Sequence, residues 1–290
     1  MKVVIFGNTY FHDKLKCIHP LIDFMQQSEV EMYVDKSFYD FVSAKLNISP
    51  EVAGFFEDSE IPYADIAFSI GGDGTFLRTA ARIGKTGIPI LGINTGRLGF
   101  LADISGNEVK NVLPEIIAGN YQIESRTLLR LSTDKKSFSG FNYALNEVAV
   151  LKLDVSSMIT IHAYINNNYL NSYQADGLII ATPTGSTAYS MSVGGPIIEP
   201  TSSNIVLTPV APHSLNVRPL VITDDSVVTL KVESRTRNVM ISLDGRSEVF
   251  DSDTEIIIRK ADFATKVVKR FNHTFFDTIR NKLMWGADSR

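Results

Sequence analysis

The chain reads as a Rossmann-like α/β N-terminal domain, then a mainly β, sandwich-like C-terminal domain, with a C-terminal helix at the end. Three observations predict this. Through roughly the first hundred residues, short apolar runs alternate with stretches at helical spacing, the mark of a parallel sheet covered by helices. From about 121 to 270, period-two alternation and hairpin signals take over. The stretch from Phe275 to Trp285 then returns to a helical pattern. We place the domains at 1–104, 105–270 and 271–290, the last a helix that can pack back on the N-terminal domain.

Taken in order, Lys2–Phe6 is a first strand, and Leu15, Ile18, Leu21, Ile22 and Met25 fall on one helical face. Val30–Val34 is a short strand, and Phe38, Phe41, Val42 and Leu46 mark a second helix. Ile66–Ile70 is continuously apolar, as a strand buried on both faces must be. It runs through Gly71–Thr75 into a helix that ends at Ile83 before Gly84; Ile88–Ile93 follows as another buried strand. Ser105 and Glu108 have capping-box spacing ahead of Val109, Val112, Leu113 and Ile116, and Gly119 closes that helix. In the second domain Ile159, Ile161, Ala163 and Ile165 alternate with polar residues, Asn166–Asn168 turns, and 227–230, 239–243 and 256–258 are further β runs. Asp244-Gly245 is a hairpin signal.

Composition narrows the classes of function. The 290 residues are 44% hydrophobic and 21% charged with a formal net charge of −4, which describes a globular chain and argues against nucleic-acid binding. No apolar run approaches the ~18 residues that cross a bilayer, and the first strand is too short for a signal peptide. A cytoplasmic protein without a membrane partner is expected. The single cysteine, Cys17, excludes an intrachain disulfide and fits a reducing compartment. With Ile18, Leu21 and Ile22 beside it, it reads as a packed thiol.

Three segments carry chemistry. Strand, Gly71-Gly72-Asp73-Gly74-Thr75, helix is an arrangement that holds phosphates, because glycines admit a ligand close to the backbone and helical N–H groups point at it. Asp73 is the unusual member. A carboxylate beside phosphate repels it, so this acid is offset by a metal or aimed at a hydroxyl it deprotonates. The plainer reading is a tight turn with Asp73 favouring the helix N-terminus. Arg78, one turn further on, faces either phosphate or solvent. The second segment, Asp176-Gly177 through Thr182-Pro183-Thr184-Gly185-Ser186-Thr187-Ala188-Tyr189-Ser190, runs from an apolar strand into uncharged hydroxyl and N–H donors, suited to sugars, phosphates and a base edge. The third is Asn146-Glu147, polar between apolar neighbours: a base-edge reader and a ribose acceptor, or a sheet-edge pair facing water. Other motifs fall short. Gly84-Lys85-Thr86 lacks the P-loop glycine, with Thr79 in its place; the histidines show no zinc spacing; Thr184–Thr187 is no nucleophile elbow.

These three segments, in this order and spacing, resemble the NAD kinase family, bacterial type. Gly194-Gly195-Pro196, Arg218-Pro219-Leu220 and the tail from Phe275 to Leu283 extend the likeness over nearly the whole chain. The glycine–aspartate turn alone is shared with lipid kinases of the diacylglycerol type; the second segment is what is similar to NAD kinases. The resemblance implies transfer of the γ-phosphate of ATP, with Mg or Mn, to the 2′-hydroxyl of the adenosine ribose of NAD. It implies Asp73 as general base, with Gly72 and Gly74 admitting the substrate. Asn146 would contact adenine and Glu147 ribose. Thr187, Ala188, Tyr189, Ser190 and Ser192 would lie at the adenosine, and Asp176 at the nicotinamide end. Gln174 stands where some bacterial members carry a basic residue, which leaves NAD against NADH open. Arg246 joins the NAD-binding set without a defined role, since the family varies after Asp244. A homodimer or homotetramer is implied as well. A diacylglycerol-type lipid kinase and a non-catalytic NADP(H)-binding sensor are the rival readings.

Overall fold

The computed structural model describes residues 1–9, 18–28, 30–57, 60–96, 98–154 and 157–286. The expectations for Leu15 and Cys17 fall outside them. The chain divides into two compact units, one of Met1–Ser125 with Thr265–Arg290, the other of Arg126–Ala264.

In the first unit β1 (Lys2–Gly7), α1 (Ile18–Gln27), β2 (Glu31–Asp35), α2 (Lys36–Leu46), β3 (Gly54–Phe56), β4 (Ile66–Gly71), α3 (Asp73–Ile83), β5 (Ile90–Asn94), β6 (Ile104–Ser105) and α4 (Val109–Ile117) follow one another. The sheet is parallel in the order β3-β2-β1-β4-β5. This order reverses between β1 and β4, and ligands of such sheets bind where the strands' carboxyl ends part at that reversal. β4 is buried throughout. α3 turns Phe76, Thr79, Ala80 and Ile83 inward at helical spacing. α2 starts on an Asp35 cap that accepts from the Phe38 N–H at 3.1 Å. The capping box forms as its spacing predicts, with Ser105 and Glu108 bonded reciprocally ahead of α4.

α4 corrects the boundary at 105. Its Val109, Val112, Leu113 and Ile116 share one apolar core with Ile18, Leu21 and Met25, so the helix belongs to the first unit. A capping box marks where a helix starts and carries nothing about which core receives its face.

The second unit is all antiparallel β apart from short helical turns. After β7 (Gln122–Thr133) come β8 (Tyr143–Ala144), β9 (Glu147–Lys152), β10 (Ile159–Ile165), β11 (Asn168–Ala175), β12 (Gly177–Ala181), the short α5 (Tyr189–Ser192), β13 (Asn204–Val210), β14 (Leu220–Thr223), β15 (Val228–Glu233), β16 (Asn238–Leu243), β17 (Arg246–Asp251) and β18 (Ile256–Lys269). One layer runs β11-β10-β15-β18, the other β14-β13-β12-β9-β16-β17. Ile161, Leu230 and Ile258 of the first layer share a core with Val148, Ile180, Leu207 and Ile241 of the second, which makes a β-sandwich. Asp244 and Gly245, with φ of 49° and 82°, close the β16–β17 hairpin between paired Leu243 and Arg246. At Thr265 the chain re-enters the first unit, where Val267 pairs in parallel with Ile90 before α6 (Phe275–Leu283).

Candidate active site

The first unit holds the glycine turn at the end of β4. A Cβ on Gly71 would lie 2.3 Å from Thr75 Oγ1, so the turn closes on itself there. Gly72 and Gly74 behave otherwise. Among the described residues a Cβ on either would meet nothing within 4 Å, and neither has a left-handed φ. Internal packing therefore asks for glycine at neither position, although Gly74 in the first turn of α3 costs about 1 kcal/mol of helix propensity.

Asp73 sits at the start of α3 with both carboxylate oxygens engaged. Oδ2 accepts the Phe100 N–H at 2.9 Å, and Oδ1 accepts those of Leu101 and Ala102 at 3.0 Å each. Gly99 makes this clamp sterically possible, since a Cβ there would lie 1.9 Å from Asp73 Oδ1. Lys282 Nζ of α6 is 3.5 Å from Oδ2. Arg78 reaches Thr75 Oγ1 at 3.3 Å and, with Phe6, Gly7, Thr9 and Thr75, lines a cleft of about 340 Å³ at the carboxyl end of β1. Arg82 shares that cleft but is bonded to Asp35 and lies against the rings of Phe6 and Phe56.

In the second unit a half-buried carboxylate does for another loop what Asp73 does for its own. Asp244 accepts N–H groups from Leu145 at 2.7 Å, Asn146 at 2.8 Å and Glu147 at 3.1 Å. Asn146 and Glu147 are themselves buried, which removes the reading of a sheet-edge pair facing water. The hydroxyl-rich loop packs against them. Thr182 Oγ1 donates to the Leu145 carbonyl at 2.5 Å, the Thr182 N–H to that of Asn146 at 2.9 Å, and the Tyr189 N–H bonds the Glu147 carboxyl. Among the described residues the buried Glu147 Oε2 has no partner. Such an orphaned acceptor is costly unless something outside the chain satisfies it.

The remaining expected residues divide by what they already hold. Thr187, Ala188, Tyr189 and Ser192 lie on the outer side of the same loop, and Tyr189 and Ser192 are exposed. Ser190 is fully buried, with its hydroxyl 2.8 Å from Thr208 Oγ1. Arg246 gives its guanidinium to the carbonyls of Phe141 and Tyr143 and stacks on Phe138 and Phe141. Asp176 pairs with Lys152 at 2.7 Å. Gln174 is exposed on β11, in a separate cleft with Thr160, Glu233 and Arg235. Sequence reasoning missed Asp244 as an organiser of the Asn146-Glu147 loop, the backbone of 100–102 and Lys282. For Asp244 a hairpin signal was visible; for the others no local pattern exists.

Burial first, and then the charge of Asp244, push Glu147 up from its ordinary 4.5 to about 8. A carboxyl whose folded value lies above its unfolded one stabilises fully below the unfolded value, and that stability is lost as pH rises through the folded one. The window is therefore pH 4.5 to about 8, with a ceiling of roughly 1.4 kcal/mol per pH unit. Glu147→Gln should flatten this slope. Between pH 6 and 8.5 the wild-type melting temperature should fall by several degrees more than that of the variant, and equal slopes would contradict the assignment.

The first unit thus presents a glycine turn with a clamped acid, and the second a donor-rich loop around a buried Asn-Glu pair, features that suit a nucleotide phosphotransferase. Comparison with known proteins makes this particular. Residues 3–121 match the ATP-NAD kinase N-terminal domain, and residues 145–270 match the C-terminal domain. An NAD kinase of Bacteroides fragilis is 53% identical over 290 residues, covering all of both chains. One of Porphyromonas gingivalis is 44% identical over all of this chain and 99% of its own. Among solved structures, a yeast NADH kinase complexed with NADH superimposes with a TM-score of 0.86 at 26% identity, over all of this chain and 89% of that one. An NAD kinase from Archaeoglobus fulgidus in complex with ATP gives 0.75, also at 26%, over 98% and 99%. The chain belongs to the NAD kinase family.

Proposed function

We propose that this protein is an NAD kinase that transfers the γ-phosphate of ATP to the 2′-hydroxyl of the adenosine ribose of NAD. The observation that carries the reading is the pair Gly72 and Gly74, whose missing side chains nothing among the described residues requires. Glycine there leaves room for a ligand to approach the N-terminus of α3. In the reaction the 2′-oxygen attacks the γ-phosphorus as its bond to the β–γ bridging oxygen breaks. ADP leaves with that electron pair, and Asp73 takes the hydroxyl proton. A ribose hydroxyl is a weak nucleophile, and a placed base is typically worth ~100- to 10,000-fold. Positioning and charge neutralisation contribute most of the remainder, and Arg78 is proposed to face phosphate.

For NAD we propose Asn146 at adenine, Glu147 at ribose, Thr187, Ala188, Tyr189 and Ser192 around the adenosine, and Asp176 with Gln174 toward the nicotinamide. Ser190 and Arg246 are proposed as supports, because their polar atoms already bond within the second unit. A magnesium or manganese ion belongs to the proposal. Among the described residues no three His, Cys, Asp or Glu stand together. When bound, such an ion would supply positive charge to offset that of the transferring phosphates. We further propose a cytoplasmic homodimer or homotetramer; no helix among the described residues is long and apolar enough to cross a membrane.

The test is an assay of NADP formed from NAD and ATP, read by an NADP-specific dehydrogenase, beside label transfer to diacylglycerol vesicles. NADP formation with no lipid product is expected. Lipid phosphorylation alone, or nucleotide binding without transfer, would sink the proposal.

A further inference from the structure

A carboxylate offers about four lone-pair positions. Around Asp73 three are filled by the N–H groups of Phe100, Leu101 and Ala102, which cannot leave unless the loop itself moves. The fourth partner differs in kind. Lys282 approaches Oδ2 on a flexible stem and stops at 3.5 Å, the loosest of the four contacts. Its ammonium also lies 4.2 Å from the centroid of the Phe100 ring, a face that holds a cation when the carboxylate releases it.

Lys282 is brought there by fixed anchors. The Thr274–Asp277 capping box starts α6, and Phe275 packs on Phe100 with centroids 6.4 Å apart. Asp103, the residue after the clamp, makes a buried ion pair with Lys269 at 2.5 Å, and His273 Nδ1 lies 3.6 Å from the same carboxylate. One side chain thus ties the end of the clamp to the start of α6.

We propose that Lys282 is a positioning residue for Asp73. In the ligand-free enzyme it fills the one exchangeable place on Oδ2, and the acceptor hydroxyl takes that place on binding. The ammonium then stays beside the reacting groups, where it offsets the repulsion between the carboxylate and incoming phosphates. This rests on the reading of Asp73 as proton acceptor.

The test compares Lys282→Met, Lys282→Arg and, as a control on the same helix, Arg280→Ala, whose exposed side chain pairs, among the described residues, with Asp277. Lys282→Met should lower kcat by about 10- to 100-fold with KM for NAD changed by less than about threefold, the pattern of an interaction used in the transition state. Lys282→Arg should recover most of the loss, and Arg280→Ala should match wild type. Turnover of Lys282→Met within twofold of wild type overturns the proposal, as does an arginine variant as poor as the methionine one. A second measurement needs no activity: acetic anhydride labelling of Lys282 in the ligand-free chain, read by mass spectrometry. Labelling should be several-fold faster in Asp73→Asn than in wild type, and equal rates overturn the pairing. A wild-type chain inert toward NAD would overturn the functional reading instead, and the labelling rates would still decide the pairing.

Discussion

Asp73→Asn is expected to lower kcat by about 100- to 10,000-fold, the range that general-base help supplies. The substitution keeps shape and removes both the negative charge and the basicity. It also has a structural side that the clamp makes calculable. Asn retains one oxygen for the Leu101 and Ala102 N–H groups, but its amide nitrogen then faces the Phe100 N–H, which now sits 2.9 Å from Oδ2. Two donors opposed in this way cost roughly 1–3 kcal/mol, so the melting temperature should drop by a few degrees while folding is retained. Most NAD affinity should be retained, because the other proposed adenosine contacts lie elsewhere in the chain. Steady-state kinetics, a thermal melt and an NAD titration separate these effects. Turnover close to wild type would remove Asp73 from the base role.

Gly185→Ala is expected to be the most damaging single change in the second unit. A Cβ at Gly185 would fall 2.0 Å from the carbonyl oxygen of Asn146 and 2.4 Å from its carbon. These are backbone atoms already fixed on both sides, by Asp244 at the Asn146 N–H and by the Thr182 N–H at the carbonyl. Nothing flexible can yield, so one of those bonds must break. Overpacking of this kind costs ~1–3 kcal/mol or more, which at this chain length lowers the melting temperature by a few degrees or more. Glu147 would lose its register with the Tyr189 N–H, and NAD affinity should fall by at least about tenfold. An unshifted melt together with unchanged NAD binding would show that the loop adapts, and that its contact with Asn146 is not what orders the Asn146-Glu147 segment.

What the sequence disclosed follows how local each signal is. The Ile66–Ile70 strand and the helix after Gly74 were legible because an unbroken apolar run and a 3.6-residue period are both written within a few residues. Ile159–Ile165 was legible because one face is buried and the other is not, while its partner β11 has too mixed a pattern to announce itself. The glycine turn, the Asn146-Glu147 pair and the hydroxyl loop could be picked out by composition. Their supports could not. Asp73 meets residues 27 to 29 positions away, Asp244 meets residues 97 to 99 away, and Lys282 meets Asp73 across 209 positions. No periodicity encodes such pairings. The same limit applies to α4, which showed where it begins and not which core takes its apolar face.

The division of the first unit between the two ends of the chain sets an order of events during synthesis. Its first 125 residues leave the ribosome well before Val267, the residue that pairs with Ile90 beside β5. At about 5–20 residues per second, translation of the intervening unit occupies on the order of ten seconds. Through that interval the nascent chain carries an unfinished parallel edge, while the inserted β-sandwich can close as soon as it emerges. Chaperone engagement should accordingly concentrate on the earlier-made half, and its release should coincide with arrival of the last two dozen residues.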